Sequence, residues 1–451
     1  MDDTKASLLN SNTNLSMKKL LVIANLFHAS PRVPGFTTYL PEFGWEATII
    51  TPPVGANAGT SLGFPKHFLE RARMIEAPYR GDIFWLWRRI FKLLGFRTNE
   101  SITEQVKERA GITSRRSFVD VLMNWYQAIF AYPDTERAWR KPALKTAEEV
   151  LKKEPFDAVL SSVPFPTSHR VASEVKTRFG LPWVADFRDP WTQNQNYAYG
   201  PVRKHFEQRL EKKTMDAADA MTAAAPAYAE KQEYFLKKPA VVITNGFDPE
   251  NLNDPPAALT KKFTITYTGT IYTGKQDPAK LLEALKRLIS RGAIKPDDIE
   301  VRFYGSRQNW LRDSIAKHNL VDVVKQFGAI SRKESWQKQK ESHILLLLNW
   351  EDPEGKGWYP LKFFEYLCAR RPILAIGGAP GSAIERLAAE TRAGSYAPTV
   401  TDIENALLGY YEEDKRTGLV CYNGDLREIE KYSYRGIARK FADVLNQVTV
   451  N

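Results

Sequence analysis

The sequence predicts an α/β chain built as two doubly wound domains. Three observations predict it. Short apolar runs of strand type alternate with amphipathic runs of helical period through most of the 451 residues, the pattern of parallel sheets covered by helices. That rhythm breaks at NGFDPENLNDPPAALTKK (245–262), where prolines and glycines replace periodicity and mark an interdomain linker. A second alternating series then begins, sharing the architecture of the first without repeating its sequence. The length suits two or three ordinary domains with a sizeable core.

In chain order, residues 1–16 are polar and read as a flexible tail. Met17 opens MKKLLVIANLF and is a second candidate start. Two lysines before an apolar run resemble a secretory leader. The run 20–27 is short, and no clear small-residue cleavage site follows, so a first buried strand is the better reading. KLLVIA (19–24) and EATIIT (46–51) are predicted strands around a helical segment, followed by DAVLSS (157–162), PWVADF (182–187) and AVVITN (240–245). AWRKPALKTAEEVLKK (138–153) and VRKHFEQRLEKKTMDAA (202–218) are the helical stretches between them. These elements define a first domain, 17–254.

The second domain, 255–425, opens with the strand KFTITYTG and the amphipathic helix DPAKLLEALKRLISR (277–291). IEVRFYG (299–305), HILLLLN (343–349) and PILAIGG (372–378) are its further strands. LKFFEYLCARR, AIERLAAE and TDIENALLGYYEE are helices between and after them, and SYRGIARKFADVLNQV (433–448) dominates a last segment, 426–451.

Residues 81–130 depart from the alternation. GDIFWLWRRIFKLLGFR sets Arg88, Arg89, Lys92 and Arg97 among aromatic and aliphatic residues. At helical spacing this suits a basic amphipathic segment lying on a membrane surface. It equally suits an insertion packed on the first domain with its arginines in water.

Composition bounds the function. Hydrophobic content of 43% and charged content of 26% are those of a soluble globular chain, and no apolar run reaches the ~20 residues that span a bilayer. Two cysteines make no disulfide framework, so a reducing, cytoplasmic compartment fits. The six histidines show no metal-ligand spacing. A net charge of +11 points to an anionic partner: nucleic acid, a lipid surface or a phosphorylated substrate. No aromatic and basic recognition motif supports nucleic acid.

ITYTGTIYTGKQD (265–277) contains Gly-x-x-x-x-Gly-Lys, from Gly269 to Lys275, between a predicted strand and a predicted helix. Glycines let the backbone approach a phosphate, and a helix N-terminus offers unpaired N–H groups and partial positive charge. A nucleoside triphosphatase also needs a hydroxyl after the lysine to hold Mg²⁺. Gln276 stands there, and the apolar strand that should end in a carboxylate runs into Asn349. The remaining readings are a diphosphate site without a metal and a purely structural turn. Other strand-to-helix turns supply groups to the same sheet edge. Arg307 follows one strand, and Lys362 and Glu365 lie three residues apart on one helix face. A lysine there meets phosphate and a carboxylate accepts from ribose hydroxyls; alone, the two would read as a surface ion pair.

With these residues in hand, the chain resembles the family 4 glycosyltransferases of the GT-B architecture, two Rossmann-like domains facing a central cleft. ADFRDPW (185–191) carries the likeness in the first half, with SSVPFPTSHRVA (161–172) and ITNGFD (243–248) beside it. TYTGTIYTG, PLKFFEYLCARRPILAIGG and the 433–448 helix carry it in the second, so it covers most of 17–450. The resemblance implies transfer of a sugar from a nucleoside diphosphate to a hydroxyl, retaining, with neither cofactor nor metal, in cell-surface polysaccharide or glycolipid synthesis. It implies that Gly269, Thr270, Lys275 and Arg307 line the diphosphate, that Lys362 neutralises the leaving phosphate and that Glu365 holds the ribose. It sets the acceptor saccharide against the first domain. Asp186, Arg188 and Asp189 are the catalytic candidates there, Asp186 or Asp189 orienting the acceptor hydroxyl or serving as base; Gly35 and His169 are on the acceptor side. The last helix is expected to cross back to the first domain. The 81–97 segment and the positive charge, and not the likeness, point to a lipid-linked acceptor and a peripheral place at the inner membrane face of the cytoplasm.

Three departures accompany the likeness. Family members commonly carry a glutamate eight residues before Glu365, where this chain has Gly357, with Glu354 out of register. Many have a histidine where Arg188 stands. Near the first strand, paired glycines give way to SPRVPG (30–35), leaving Gly35. A structural reading of DFRDPW has Arg188 bridging both aspartates above a buried Trp191. His28 and His169 read as loop or packing residues. Gly357 motivates a second class, a non-catalytic nucleotide-sugar binding partner; a nucleotide-sugar epimerase shares the fold and is a third.

Overall fold

The computed structural model describes residues 17–26, 31–54, 65–79, 131–195, 197, 199–255, 257–351 and 357–450. The polar tail 1–16, the segment 81–130, His28 and Glu354 lie outside the described residues.

In the first domain the chain runs β1 (Lys18–Ala24), α1 (Arg32–Tyr39), β2 (Trp45–Thr51), α2 (Lys66–Arg71), β3 (Arg73–Glu76), α3 (Arg140–Leu151), β4 (Ala158–Ser162), α4 (Pro166–Phe179), β5 (Trp183–Phe187), α5 (Pro201–Met215), β6 (Ala220–Ala223), α6 (Pro226–Leu236) and β7 (Ala240–Val242). The strands form one parallel sheet in the order β3-β2-β1-β4-β5-β6-β7. β4 and β5 are buried at every position, because helices cover both faces of a parallel sheet; the polar Ser161, Ser162 and Asp186 in them are therefore buried too. α4, α5 and α6 each start with proline, whose fixed φ and missing N–H suit the first helical position.

The second domain runs β8 (Phe263–Thr268), α7 (Ala279–Ser290), β9 (Ile299–Tyr304), α8 (Asn309–Lys317), β10 (Val324–Gly328), α9 (Arg332–Lys340), β11 (Ile344–Leu348), α10 (Leu361–Ala369), β12 (Ile373–Ile376), α11 (Ala383–Thr391), β13 (Gly394–Ala397) and α12 (Val400–Thr417). Its parallel sheet has the order β10-β9-β8-β11-β12-β13. α7 buries Leu281, Leu282, Leu285 and Leu288, an apolar stripe of helical period laid on the sheet.

Strand order reverses between β1 and β4 in the first sheet and between β8 and β11 in the second. Ligands of open α/β sheets bind outside the carboxyl ends of the strands at such switch points.

Two further helices, α13 (Leu426–Glu430) and α14 (Tyr434–Thr449), close the chain. α14 packs on the first domain, not on the second from which it emerges. Ile437, Phe441 and Leu445 are buried in one cluster with Leu20, Val22 and Phe36. Phe441 stacks on Phe36 with ring centroids 4.2 Å apart, and Asn446 accepts from the Trp45 indole at 3.2 Å. Each large apolar side chain buried there contributes about 1.5–3 kcal/mol. The two passages between domains lie side by side: the Phe247 N–H donates to Tyr432 O and the Tyr434 N–H to Phe247 O.

Candidate functional site

The cleft between the sheets holds a cavity of about 410 Å³ lined by both domains. On the second-domain side it sits at the switch point, against Thr268 and Gly269 after β8 and Leu347 and Leu348 of β11. Gly269 has φ +114, a conformation open chiefly to glycine. A Cβ there would lie 2.7 Å from Lys362 Nζ. Lys362 stands in the first turn of α10, whose N-cap position, Pro360, offers no side-chain cap; the helix N-terminus adds positive potential there. Burial pushes the Lys362 pKa below the usual lysine range, with Glu365 acting against the shift. Glu365, almost one turn further, lines the same cavity and lies 4.0 Å from Arg332.

The first domain faces these groups with Arg188, Asp189, Tyr228 and Asn245. Arg188 Nε lies 3.5 Å from Asp189 Oδ2. Trp191, in the same loop, is buried and donates to Glu207 at 3.2 Å. Thr192 N donates to Glu211 at 3.1 Å. Both glutamates belong to α5, so that helix carries the loop. The Asn245 Oδ1 is buried and has no hydrogen-bond partner among the described residues.

Of the residues singled out in the sequence, Arg188, Asp189, Gly269, Lys362 and Glu365 line the cavity. The others are placed elsewhere. Asp186 is fully buried; it accepts from Arg32 Nη2 at 2.9 Å and Nε at 3.1 Å, and from Ser162 and Thr222, each at 2.7 Å. Burial alone would raise its pKa, but the Arg32 charge and these hydrogen bonds hold it below the usual carboxylate range. With both oxygens engaged, Asp186 has no free lone pair turned to an acceptor; it ties β5 to α1. Its partner is Arg32, not Arg188. Arg32 also donates to Ile243 O at 2.7 Å and to Thr244 O.

His169 is likewise buried, bonded through Nδ1 to Ser161 Oγ at 2.7 Å and packed on Phe187. Burial pushes its pKa down to about 3, against the pull of Asp186. It is a neutral core histidine and not an acceptor contact. Gly35 lies inside α1, where a Cβ would be 2.7 Å from the Tyr434 ring; it admits α14 and does not reach the cleft cavity. Lys275 sets its Nζ 4.4 Å from the Trp350 ring centroid. Thr270 gives its carbonyl to Tyr267 Oη at 2.9 Å, and Arg307 approaches Phe327 O at 3.5 Å. None of these three lines the cavity. The lysine beside the glycine turn is thus Lys362, supplied by α10 and not by the loop itself. Gln276 clamps that loop: its amide donates to Leu348 O at 2.7 Å and accepts from Tyr272 N at 3.1 Å.

Gly357 has a packing reason. A Cβ there would lie 2.2 Å from the Ala227 Cβ of α6, so the two domains touch at that point. Trp358 and Tyr359 pack against Ala223, Ala225 and Tyr228 beside it. Among the described residues, no three or more of His, Cys, Asp and Glu gather where they would hold a metal ion.

Sequence reasoning missed Arg32, Tyr228, Asn245 and Trp358. Arg32 carries no local signal, because its partner Asp186 lies 154 residues away in sequence. Asn245 sits in the quoted ITNGFD, where an amide at a strand end was the available signal.

Sheets, switch points and the returning last helix define the GT-B fold. No protein-family model and no curated protein sequence matches the chain. Solved structures do. A glycosyltransferase from Rickettsia africae ESF-5 has a TM-score of 0.57 at 15% identity, covering 96% of this chain and 99% of its own. Anabaena HepE in complex with UDP and glucose has a TM-score of 0.57 at 13% identity, covering 95% and 100%. S. aureus TarM in complex with fondaparinux, α-GlcNAc-glycerol and UDP has a TM-score of 0.54 at 13% identity, covering 95% and 100%. At such identities the likeness is one of fold.

Proposed function

We propose that the chain is a glycosyltransferase of the family 4 type. It moves a sugar from a nucleoside diphosphate to a hydroxyl of a saccharide or lipid-linked acceptor, with retention and without a metal ion. The setting is polysaccharide or glycolipid synthesis at the inner face of a membrane. The observation that carries this reading is Lys362, held against the Gly269 turn at the switch point, with Glu365 almost one turn on and Arg188 across the cleft.

In the reaction the bond from the anomeric carbon to the phosphate oxygen breaks as the bond to the acceptor oxygen forms. The acceptor proton passes to the departing phosphate. Negative charge grows on that phosphate, and fixed cationic and N–H groups aimed at it are the largest catalytic term. Lys362 and the α10 N-terminus supply them. Glu365 accepts from the ribose hydroxyls, and Arg188 with Asp189 borders the acceptor side. HepE was solved with UDP-glucose, which makes uridine nucleotides the first donors to try. The close approach to Ala227 accounts for Gly357, so its lack of a carboxylate calls for no loss of activity.

A thermal-shift series of UDP, GDP and ADP with their sugars, each in EDTA, tests the reading. Stabilisation in EDTA that is lost in Lys362→Ala is expected. Stabilisation by ATP or GTP only with Mg²⁺ would overturn it. Turnover of donor without acceptor would indicate an epimerase, and NMR of the product's anomeric proton tests retention.

A further inference from the structure

Helix α5 is inverted. Its inward side is ionic, with Arg203, Glu207 and Glu211 buried. Its outward side carries Val202 at 74% exposure and Phe206 at 54%. The inward side is fully used. Glu207 and Glu211 hold the Trp191–Thr192 loop, and Arg203 pairs with Glu207 and donates to Ala131 O at 2.7 Å and Pro133 O at 3.1 Å. Val202 and Phe206 are four residues apart and share one stripe. That stripe continues through Arg209 to Lys213, with His205 and Lys212 exposed beside it. Both carboxylates of the helix point inward, so its outer face is apolar and cationic at once.

We propose that this face docks the protein on an anionic lipid surface. The combination is the one interfacial helices use: apolar side chains enter the headgroup boundary while lysines and arginines pair with anionic lipid. A second copy of the chain fits the face poorly, since a two-fold contact would set its cationic stripe against itself. The chain's net charge of +11 points the same way. Docking here sets the 188–192 loop, carried on the opposite side of α5, about one helix diameter of ~10 Å from the lipid. A lipid-linked acceptor would then reach the cleft; that last use rests on the transferase reading, whereas docking does not.

The test is co-sedimentation of the full chain with vesicles of phosphatidylcholine alone or with phosphatidylglycerol, at low and high salt. Binding to the anionic vesicles that weakens with salt is expected. The double variant Val202→Glu, Phe206→Glu should lower the bound fraction about tenfold. A second variant, Arg209→Glu with Lys213→Glu, should do the same. All four positions are exposed, so melting temperature and nucleotide-induced shift, read on the same samples, should hold. Equal binding to neutral vesicles, or undiminished binding by both variants, would overturn the proposal. So would a concentration-dependent dimer that the variants abolish, which would make the face a contact between copies. Loss of the nucleotide shift in the wild type would instead strike the transferase reading and leave docking standing.

Discussion

At the scale of the residue, the charge on Lys362 matters most. Its pKa is depressed by burial, so the neutral amine gains as pH rises through that lowered value, and a bound diphosphate favours the charged form. Nucleotide affinity should therefore fall as pH rises through the depressed pKa, with proton uptake on binding in that range. Lys362→Arg should remove the dependence, because a guanidinium stays charged; titration calorimetry at several pH values checks both. Asp186→Ala should leave Arg32 buried without its carboxylate and cost about 3–5 kcal/mol, read from urea unfolding. The site was legible where the signal was local. Gly269, Lys362, Glu365, Arg188 and Asp189 sit at strand ends and helix starts that any reading of the alternation locates. Lys275, Thr270 and Arg307 occupy similar positions but do not line the cavity; a distant partner turns Lys275 aside, which lies on Trp350. Asp186 reads as a catalytic candidate because nothing in its sequence neighbourhood announces Arg32 of α1, which pairs with it.

At the scale of the element, close approaches decide what each position accepts. Gly357→Glu would place a carboxylate where the resembled glycosyltransferases commonly carry one, but its Cβ would collide with Ala227 of α6. Overpacking of this kind costs about 1–3 kcal/mol. The variant should melt earlier and show a larger radius of gyration in small-angle scattering as the domains part. Gly35→Ala meets the Tyr434 ring at 2.7 Å and should loosen α14 by a similar amount, visible as faster hydrogen exchange in that helix. The strands β1, β4, β5, β8 and β11 are legible because each is a short, largely buried run rich in apolar residues, interrupted only by serine in β4, Asp186 in β5 and threonine in β8. Short edge strands such as β3, whose residues are half-buried or exposed, carry no such run and escaped notice.

At the scale of the whole molecule, stability should depend on pH through His169. Its folded pKa of about 3 lies below the ordinary histidine value, so the unfolded chain takes up a proton that the native core refuses. Its contribution is intact above about pH 6.5 and is lost as pH falls toward 3. Denaturant midpoints measured over that window should decline, and His169→Gln should flatten the slope. The two alternating series of strands and helices are legible because hydrophobic period is a one-dimensional signal. The closeness of the domains at Gly357 is not, since it joins residues on two separate units.

The placement of α14 in the first domain has a consequence for synthesis. Val242 ends that domain's sheet, and Tyr434 begins the helix that completes it. At the usual ~5–20 residues per second, the ribosome needs roughly 10–40 seconds to cover the interval. Throughout it the Phe36 face stands bare, a target for chaperones. A message cut short anywhere in the second domain yields no working half, only a first domain with its hydrophobic floor exposed to degradation.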